Sequence, residues 1–201
     1  MISRRATADD AEAITTTIAL AFADDPTWAP ALQFGAVGDE HVLPFWRYFV
    51  DGALRFDLST VIDGPQGEIA AVALWIAPSE PELSHDQEAE LTALIEEALD
   101  SAGAESMFEL WRRFDANHPA SPPHAYLSLL ATHPDHRGRG IAQGLLGESL
   151  AEFDQASIPT FLESSNPANN HRYVRAGYSP FGEILAPSTG AAVALMWRDA
   201  R

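Results

Sequence analysis

The segment from Leu130 to Ala142 reads LATHPDHRGRGIA, and it joins an apolar, strand-like stretch to a helix-like one. Its two glycines, Gly138 and Gly140, let the backbone come close to a ligand. Free backbone amides at the start of the following helix can bind an anion, and Arg137 and Arg139 add fixed positive charge. The segment therefore predicts a β-loop-α unit that binds a phosphate-containing ligand.

Two common phosphate-binding motifs do not fit this loop. A dinucleotide-binding G-x-G-x-x-G motif would need glycine at position 143, where the chain has Gln143. A P-loop needs a lysine, and the chain has none. A surface glycine turn with solvated arginines and no ligand is the remaining alternative for this segment alone.

The chain as a whole is acidic, so the phosphate signal is local. Its 201 residues include 12 basic residues, all arginine, and 29 acidic ones, which gives a net charge of −17 with neutral histidines. Such a surface repels nucleic-acid phosphates and anionic lipids, so neither nucleic acid nor a membrane is expected as a partner. The lack of lysine is interpreted as a coding bias of the kind seen in GC-rich bacterial genomes.

Composition also limits the chemistry and the compartment. There is no cysteine, which excludes disulfides, thiolate metal sites and a cysteine nucleophile, and no metal is expected. The N-terminus turns polar at once, and the longest apolar stretch, 69–77, is far shorter than the ~20 residues that span a bilayer. We therefore expect a cytoplasmic protein with one domain over residues 1–201.

Hydrophobic periodicity along the rest of the chain predicts a mixture of helices and strands. Capping boxes at Thr7 and Ser84 open two helices, Gly103 is predicted to interrupt the second, and Trp28 and Phe34 fall in a predicted loop. The predicted strands are 2–6, 58–63, 68–76, 126–132, 160–163, 178–184 and 191–197; the predicted helices are 7–22, 43–56, 84–114 with its interruption, 140–153 and 167–176. The strand 68–76 is apolar on both faces, which predicts a central place in a covered sheet.

The run from Arg137 to Ala142 resembles the Q/R-x-x-G-x-G/A signature of the GNAT superfamily of acyl-CoA N-acyltransferases. Residues 162–169 and 173–178 resemble that family's L-E-x-S…N and Y-x-x-x-G-F elements, with Tyr178 in place of the phenylalanine. Two more stretches, 20–26 and 72–78, are similar to the puromycin N-acetyltransferases within the family. The signatures occur in the family's order and spacing, which makes the pair more specific than either alone.

The resemblance implies the fold and the reaction. The fold would be α/β: a mixed, largely antiparallel seven-stranded sheet flanked by helices and splayed at the central strand near Leu130. The reaction would be direct transfer of acetyl from acetyl-CoA to an amine acceptor, a small molecule, without a covalent enzyme intermediate. The alternative is a non-catalytic GNAT domain that binds or senses acyl-CoA. Both a monomer and a homodimer fit the sequence.

The resemblance also assigns residues to acetyl-CoA. The backbone of a bulged strand would pair with the pantetheine arm and leave amides free to polarise the thioester carbonyl, and the loop amides would hold the pyrophosphate. The strand residues are Leu130, Ala131 and Thr132, the loop residues are Arg137, Gly138, Arg139, Gly140, Ile141 and Ala142, and Asn169 would contact the arm.

Tyr173 matches the family's general acid for the departing thiolate. Glu163 at a strand end is a candidate to accept the amine's proton, directly or through water, although it would equally serve to fix neighbouring backbone. His124 and water are the other candidates for the base, whereas His133 and His136 are expected to be solvated. Four acidic or aromatic side chains are candidates to line an acceptor pocket for a cationic, partly apolar amine: Phe22, Asp25, Trp28 and Trp75.

Overall fold

A seven-stranded mixed sheet organises the computed structural model, which describes residues 2–32 and 40–201. The strands are β1 (Ser3–Arg5), β2 (Thr60–Asp63), β3 (Ile69–Ile76), β4 (Ala125–Thr132), β5 (Thr160–Ser164), β6 (Ser179–Leu185) and β7 (Ala192–Arg198). Their order across the sheet is β1-β2-β3-β4-β5-β7-β6, and every neighbouring pair is antiparallel except β4–β5. The predicted fold class is therefore confirmed.

Helices cover both faces of this sheet. They are α1 (Ala11–Phe22), α2 (Trp28–Leu32), α3 (Val42–Leu54), α4 (His85–Ala98), α5 (Ser101–Asn117), α6 (Ile141–Gln155) and α7 (Asn170–Arg175). All eight residues of β3 are buried, as predicted for a central strand. Leu74 belongs to the hydrophobic core that contains α1 and α3, whereas Trp75 belongs to the core beneath α6. No helix in the described ranges is long and apolar enough to cross a membrane.

Most helix boundaries follow their capping signals. The Ser84 hydroxyl accepts a hydrogen bond from the backbone amide of Gln87 at 3.3 Å, and the backbone amide of Ser84 donates one to the Gln87 side chain. This capping box begins α4 as predicted. The break before α5 comes at Asp100, whose carboxylate caps the Gly103 amide at 2.8 Å, so the predicted interruption at Gly103 is three residues late. Trp28 begins α2 and is not in a loop; the predicted position of Phe34 lies outside the described residues.

The central strands separate beside a β-bulge. β4 and β5 pair only at Ala125 with Thr160 and at Tyr126 with Phe161, after which the two strands diverge. In the β3–β4 pairing, Leu74 faces Leu129 and Trp75 faces Leu127, so Ser128 is an extra residue in β4. A bulge increases local twist and bends its strand, which accounts for the divergence. The predicted splay is confirmed, and it leaves one backbone edge of β4 without a partner strand.

Candidate active site

A cleft of about 1320 Å³ opens where β4 and β5 separate. Its walls come from the segment after β4, the start of α6, the end of β5, α7, and the ends of α1 and α5. Most of the site residues predicted from the sequence line this cleft: Phe22, Asp25, Trp28, Leu130, Ala131, Thr132, Arg137, Gly138, Gly140, Ile141, Ala142, Glu163, Asn169 and Tyr173.

The loop before α6 is shaped for a close approach to its backbone. Gly138 and Gly140 have φ values of +78° and +70°, a left-handed conformation that side chains disfavour. A Cβ atom built on either glycine would meet nothing within 4 Å, so open space lies above the backbone. Gly140 stands immediately before the 15-residue helix α6, whose first amides are available to an anion.

Side chains of the same loop hold it in place. His136 is buried, and its Nε2 lies 2.6 Å from Oε1 of Glu68 in the β2–β3 hairpin, so the expectation that His136 is solvated is wrong. Arg137 donates to the Ala21 carbonyl at 3.0 Å and ties the loop to α1. Arg139 contacts Nδ1 of His136 at 3.4 Å and does not line the cleft. Both arginines therefore help to hold the loop in place, and Arg137 also lines the cleft.

Tyr173 approaches the cleft from α7. The segment that precedes this helix begins where Asn166 accepts a hydrogen bond from the Ala168 amide at 3.1 Å, and it carries Asn169 to the cleft wall. The Tyr173 ring packs edge-on against Tyr178 with the centroids 6.1 Å apart. Burial, with a smaller contribution from nearby Asp25, raises the pKa of Tyr173 to about 12. Its hydroxyl is therefore protonated at neutral pH.

Glu163 projects into the cleft from β5. Its side chain is only 6% exposed, and its Oε2 atom has no hydrogen-bond partner among the described residues. Burial raises the pKa of Glu163 to about 8, and the negative charges of Glu82 and Asp115 add to the effect, whereas a hydrogen bond from Tyr126 opposes it. A carboxyl group with this pKa can accept a proton near neutral pH.

Two histidines, His118 and His124, extend this polar cluster. His124 donates from Nδ1 to the Pro122 carbonyl at 2.9 Å, because a carbonyl can only accept, so its Nε2 is the acceptor toward Nε2 of His118 at 3.1 Å. His118 then carries its proton on Nε2 and turns an unprotonated Nδ1 toward Glu163, 3.9 Å away. Burial lowers the pKa of His118 to about 4, which keeps the ring neutral. His118 was not among the residues predicted from the sequence, because its position after α5 gives no sign of the contact with Glu163.

Aromatic rings from α1, α2, α3 and α5 also line the cleft. Trp28 stacks on Phe114 with a centroid distance of 6.0 Å and meets Trp46 edge-on at 5.6 Å, while Phe22 lies 5.0 Å from Trp46. The carboxylate of Asp25 accepts hydrogen bonds from the amides of residues 27 and 28 and from the hydroxyl of residue 165, at 2.8 to 3.0 Å. Asp25 therefore lines the cleft and also fixes the position of Trp28.

Trp75 is the clear exception among the predicted acceptor contacts. It is 0% exposed, packs edge-on against Phe153 of α6 at 4.7 Å and does not line the cleft. Side chains alternate along a strand, so Trp75 points to the face opposite that of Leu74. The predicted placement of Trp75 in the acceptor pocket is therefore wrong, and this residue is part of the core.

Comparison with known proteins agrees with this architecture. A family model described as "Acetyltransferase (GNAT) family" matches residues 66–178. The chain is similar in structure to a protein described as histone acetyltransferase HPA2 and related acetyltransferase from Corynebacterium glutamicum, with a TM-score of 0.69, 24% identity, and coverage of 99% of this chain and 96% of that one.

Two further structures are named for the amines on which they act. Arylalkylamine N-acetyltransferase 2 from Aedes aegypti has a TM-score of 0.71 at 13% identity and covers 100% of this chain and 99% of its own. An agmatine N-acetyltransferase has a TM-score of 0.68 at 14% identity and covers 98% of each chain. At these identities the likeness establishes the fold.

Proposed function

The chain belongs to the acetyltransferase (GNAT) family, and from that premise we propose that it transfers acetyl from acetyl-CoA directly to the amine of a small molecule. The observation that carries the proposal is the convergence of two complementary groups on one cleft at the splayed strands. Glu163 offers a carboxyl that titrates near neutral pH, and Tyr173 offers a hydroxyl that stays protonated there.

The residues present fit acetyl-CoA. The unpaired edge of β4, with Leu130, Ala131 and Thr132, is suited to pair with the amide-containing pantetheine arm. The open backbone from Arg137 to Ala142, with its left-handed glycines, is suited to the pyrophosphate, and Asn169 lies beside the same cleft. When bound, acetyl-CoA supplies the thioester that carries the acetyl group.

Each reacting group then has a defined task. Glu163 accepts the proton that the amine nitrogen loses as this nitrogen bonds to the acetyl carbon. Backbone amides of β4 stabilise the negative charge that develops on the carbonyl oxygen. Tyr173 donates a hydrogen bond to the sulfur that leaves as the carbon–sulfur bond breaks, and no side chain becomes acetylated.

Glu163 suits the role of base better than His124 does. Both ring nitrogens of His124 are engaged, one with a backbone carbonyl and one with His118. The Oε2 atom of Glu163 has no such partner in the part of the chain that the structure describes. Nδ1 of His118 lies 3.9 Å from Oε1 of Glu163, too far for a direct hydrogen bond, and leaves Glu163 free to face the amine.

The direct test is release of free thiol from acetyl-CoA across a panel of primary amines, with parallel calorimetric titration of acetyl-CoA. We expect thiol release with at least one amine and a matching amount of N-acetylated product. Acetyl-CoA binding without thiol release on any amine would favour the sensing domain. Binding of ATP in place of acetyl-CoA would exclude both functions.

A further inference from the structure

We propose that the acceptor end of the cleft selects a dibasic amine, whose second cationic group is held by Glu82 and Asp115 while the first reacts beside Glu163. The inference rests on the proposed function and adds the class of acceptor to it. The chemical class is an aliphatic amine with a second ammonium or guanidinium group.

Three acidic side chains from separate elements meet at this end. Glu82 lies in the connection from β3 to α4, Asp115 in the last turn of α5, and Glu163 on β5, and all three line the cleft. His118, three residues after Asp115, lies 3.9 Å from Glu163, which places the end of α5 beside β5 within this cleft. The charges of Glu82 and Asp115 both raise the pKa of Glu163. Burial raises the pKa of Glu82 to about 7, and partial burial also raises that of Asp115.

The described residues provide no cation to neutralise the pair. The group that lowers the pKa of Glu82 is the neighbouring Ser128 hydroxyl, and nearby Glu88 raises the pKa of Asp115 further. Arg55 donates to the backbone carbonyls of residues 81 and 82, at 2.6 and 3.0 Å, instead of to the Glu82 carboxylate. Arg113 on α5 is committed to Glu109 at 2.8 Å. A cation that enters this end therefore meets carboxyl groups for which no cation of the described residues competes.

An independent observation shows that this end of the cleft is incomplete without a hydrogen-bond donor. Glu163 Oε2 is buried, lines the cleft and has no partner among the described residues. A buried carboxylate oxygen without a donor costs free energy, which a ligand N–H group would recover. A monobasic amine satisfies Glu163 and leaves Glu82 and Asp115 unpaired, whereas a dibasic amine satisfies both sites.

The aromatic wall completes the site. Trp28, Phe114 and Tyr126 line the same cleft as its acidic groups. Their faces can pack against the methylene chain that joins two cationic groups and attract a cation directly. An acidic end with an aromatic wall thus matches a flexible chain that carries charge at both ends.

The experiment compares cadaverine and agmatine with n-pentylamine, which has one charge. The wild-type protein is expected to show a kcat/KM at least about 10-fold higher for the two dibasic amines, through KM, because a charge-assisted contact is gained. Glu82→Gln and Asp115→Asn should each reduce that preference by about 10- to 100-fold. Glu96→Gln, an exposed charge change on α4 away from the cleft, is the control that should keep the preference.

Calorimetric titration of cadaverine in the presence of CoA gives a readout independent of turnover. Weaker cadaverine binding in Glu82→Gln and Asp115→Asn supports the second cationic site, even if thiol release fails and the proposed function falls. Equal use of cadaverine and n-pentylamine by the wild type overturns the inference and leaves the proposed function standing. An unchanged preference in both variants, each with a normal melting temperature, overturns it as well.

Discussion

Replacing Tyr173 with phenylalanine removes one hydroxyl from the cleft and keeps the ring that packs on Tyr178. The hydroxyl makes no hydrogen bond to the described residues, so its loss should change the free energy of unfolding by about 0.5 kcal/mol or less. A change in catalysis can therefore be separated from a change in folding.

The size of the catalytic effect follows from two pKa values. Burial raises the pKa of Tyr173 to about 12, whereas a thiol such as that of CoA has a pKa of about 8.5 by analogy with cysteine. The difference of about 3.5 corresponds to ~5 kcal/mol against complete proton transfer, so Tyr173 acts on the leaving sulfur as a hydrogen-bond donor. A hydrogen bond to a charged group contributes about 1.5–3 kcal/mol, which predicts a loss in kcat of about 10²-fold, at the lower end of general-acid effects.

The assay is steady-state thiol release with an active amine, accompanied by calorimetric titration of acetyl-CoA. Tyr178→Phe is the matched control, because that tyrosine is buried beside Tyr173 without lining the cleft. We expect a lower kcat in Tyr173→Phe alone, with the acetyl-CoA Kd little changed in both variants. A kcat of Tyr173→Phe within about threefold of wild type would refute the role.

Four further substitutions test other parts of the molecule. Acetyl-CoA at ~100-fold excess over its Kd should raise the Tm of the wild type by about 5–10 °C. Gly140→Asp should fold but lose acetyl-CoA binding and therefore this increase in Tm; an increase as large as in the wild type would contradict this. The kcat/KM of the wild type should rise with pH through about 8 as Glu163 loses its proton, and Glu163→Gln should lose that rise; identical pH profiles would remove Glu163 as the base. Trp75→Ala should lower the free energy of unfolding by about 3–5 kcal/mol in denaturant titrations, whereas Trp28→Ala should raise the KM for the amine; the reverse assignment would place Trp75 in the cleft.

The local features of the site were accessible from sequence. Gly138 and Gly140 adopt left-handed conformations, for which glycine is the residue of choice, and the strand 68–76 is central because no polar residue interrupts it. The capping box at Ser84 depends on residues three apart and appears in the structure as predicted. Such features depend on short-range chemistry, which a single sequence displays.

Features that depend on tertiary contacts were not accessible. Trp75 lies in a strand that is apolar on both faces, so its pattern gave no information about which face each side chain takes. The pairing of His136 with Glu68 joins residues 68 apart, and His118 reaches Glu163 only because α5 ends beside β5. The bulge at Ser128 leaves no trace in the periodicity of β4, and a bulged strand was expected only from the family resemblance.

The central claim is that acetyl passes directly from acetyl-CoA to an amine in this cleft. Incubation with trideuteroacetyl-CoA and the best amine of the panel, followed by mass spectrometry of both the amine and the intact protein, tests it most directly. We expect one trideuteroacetyl group on the amine nitrogen and none on the protein. A labelled protein, or an unlabelled amine despite bound acetyl-CoA, would contradict it.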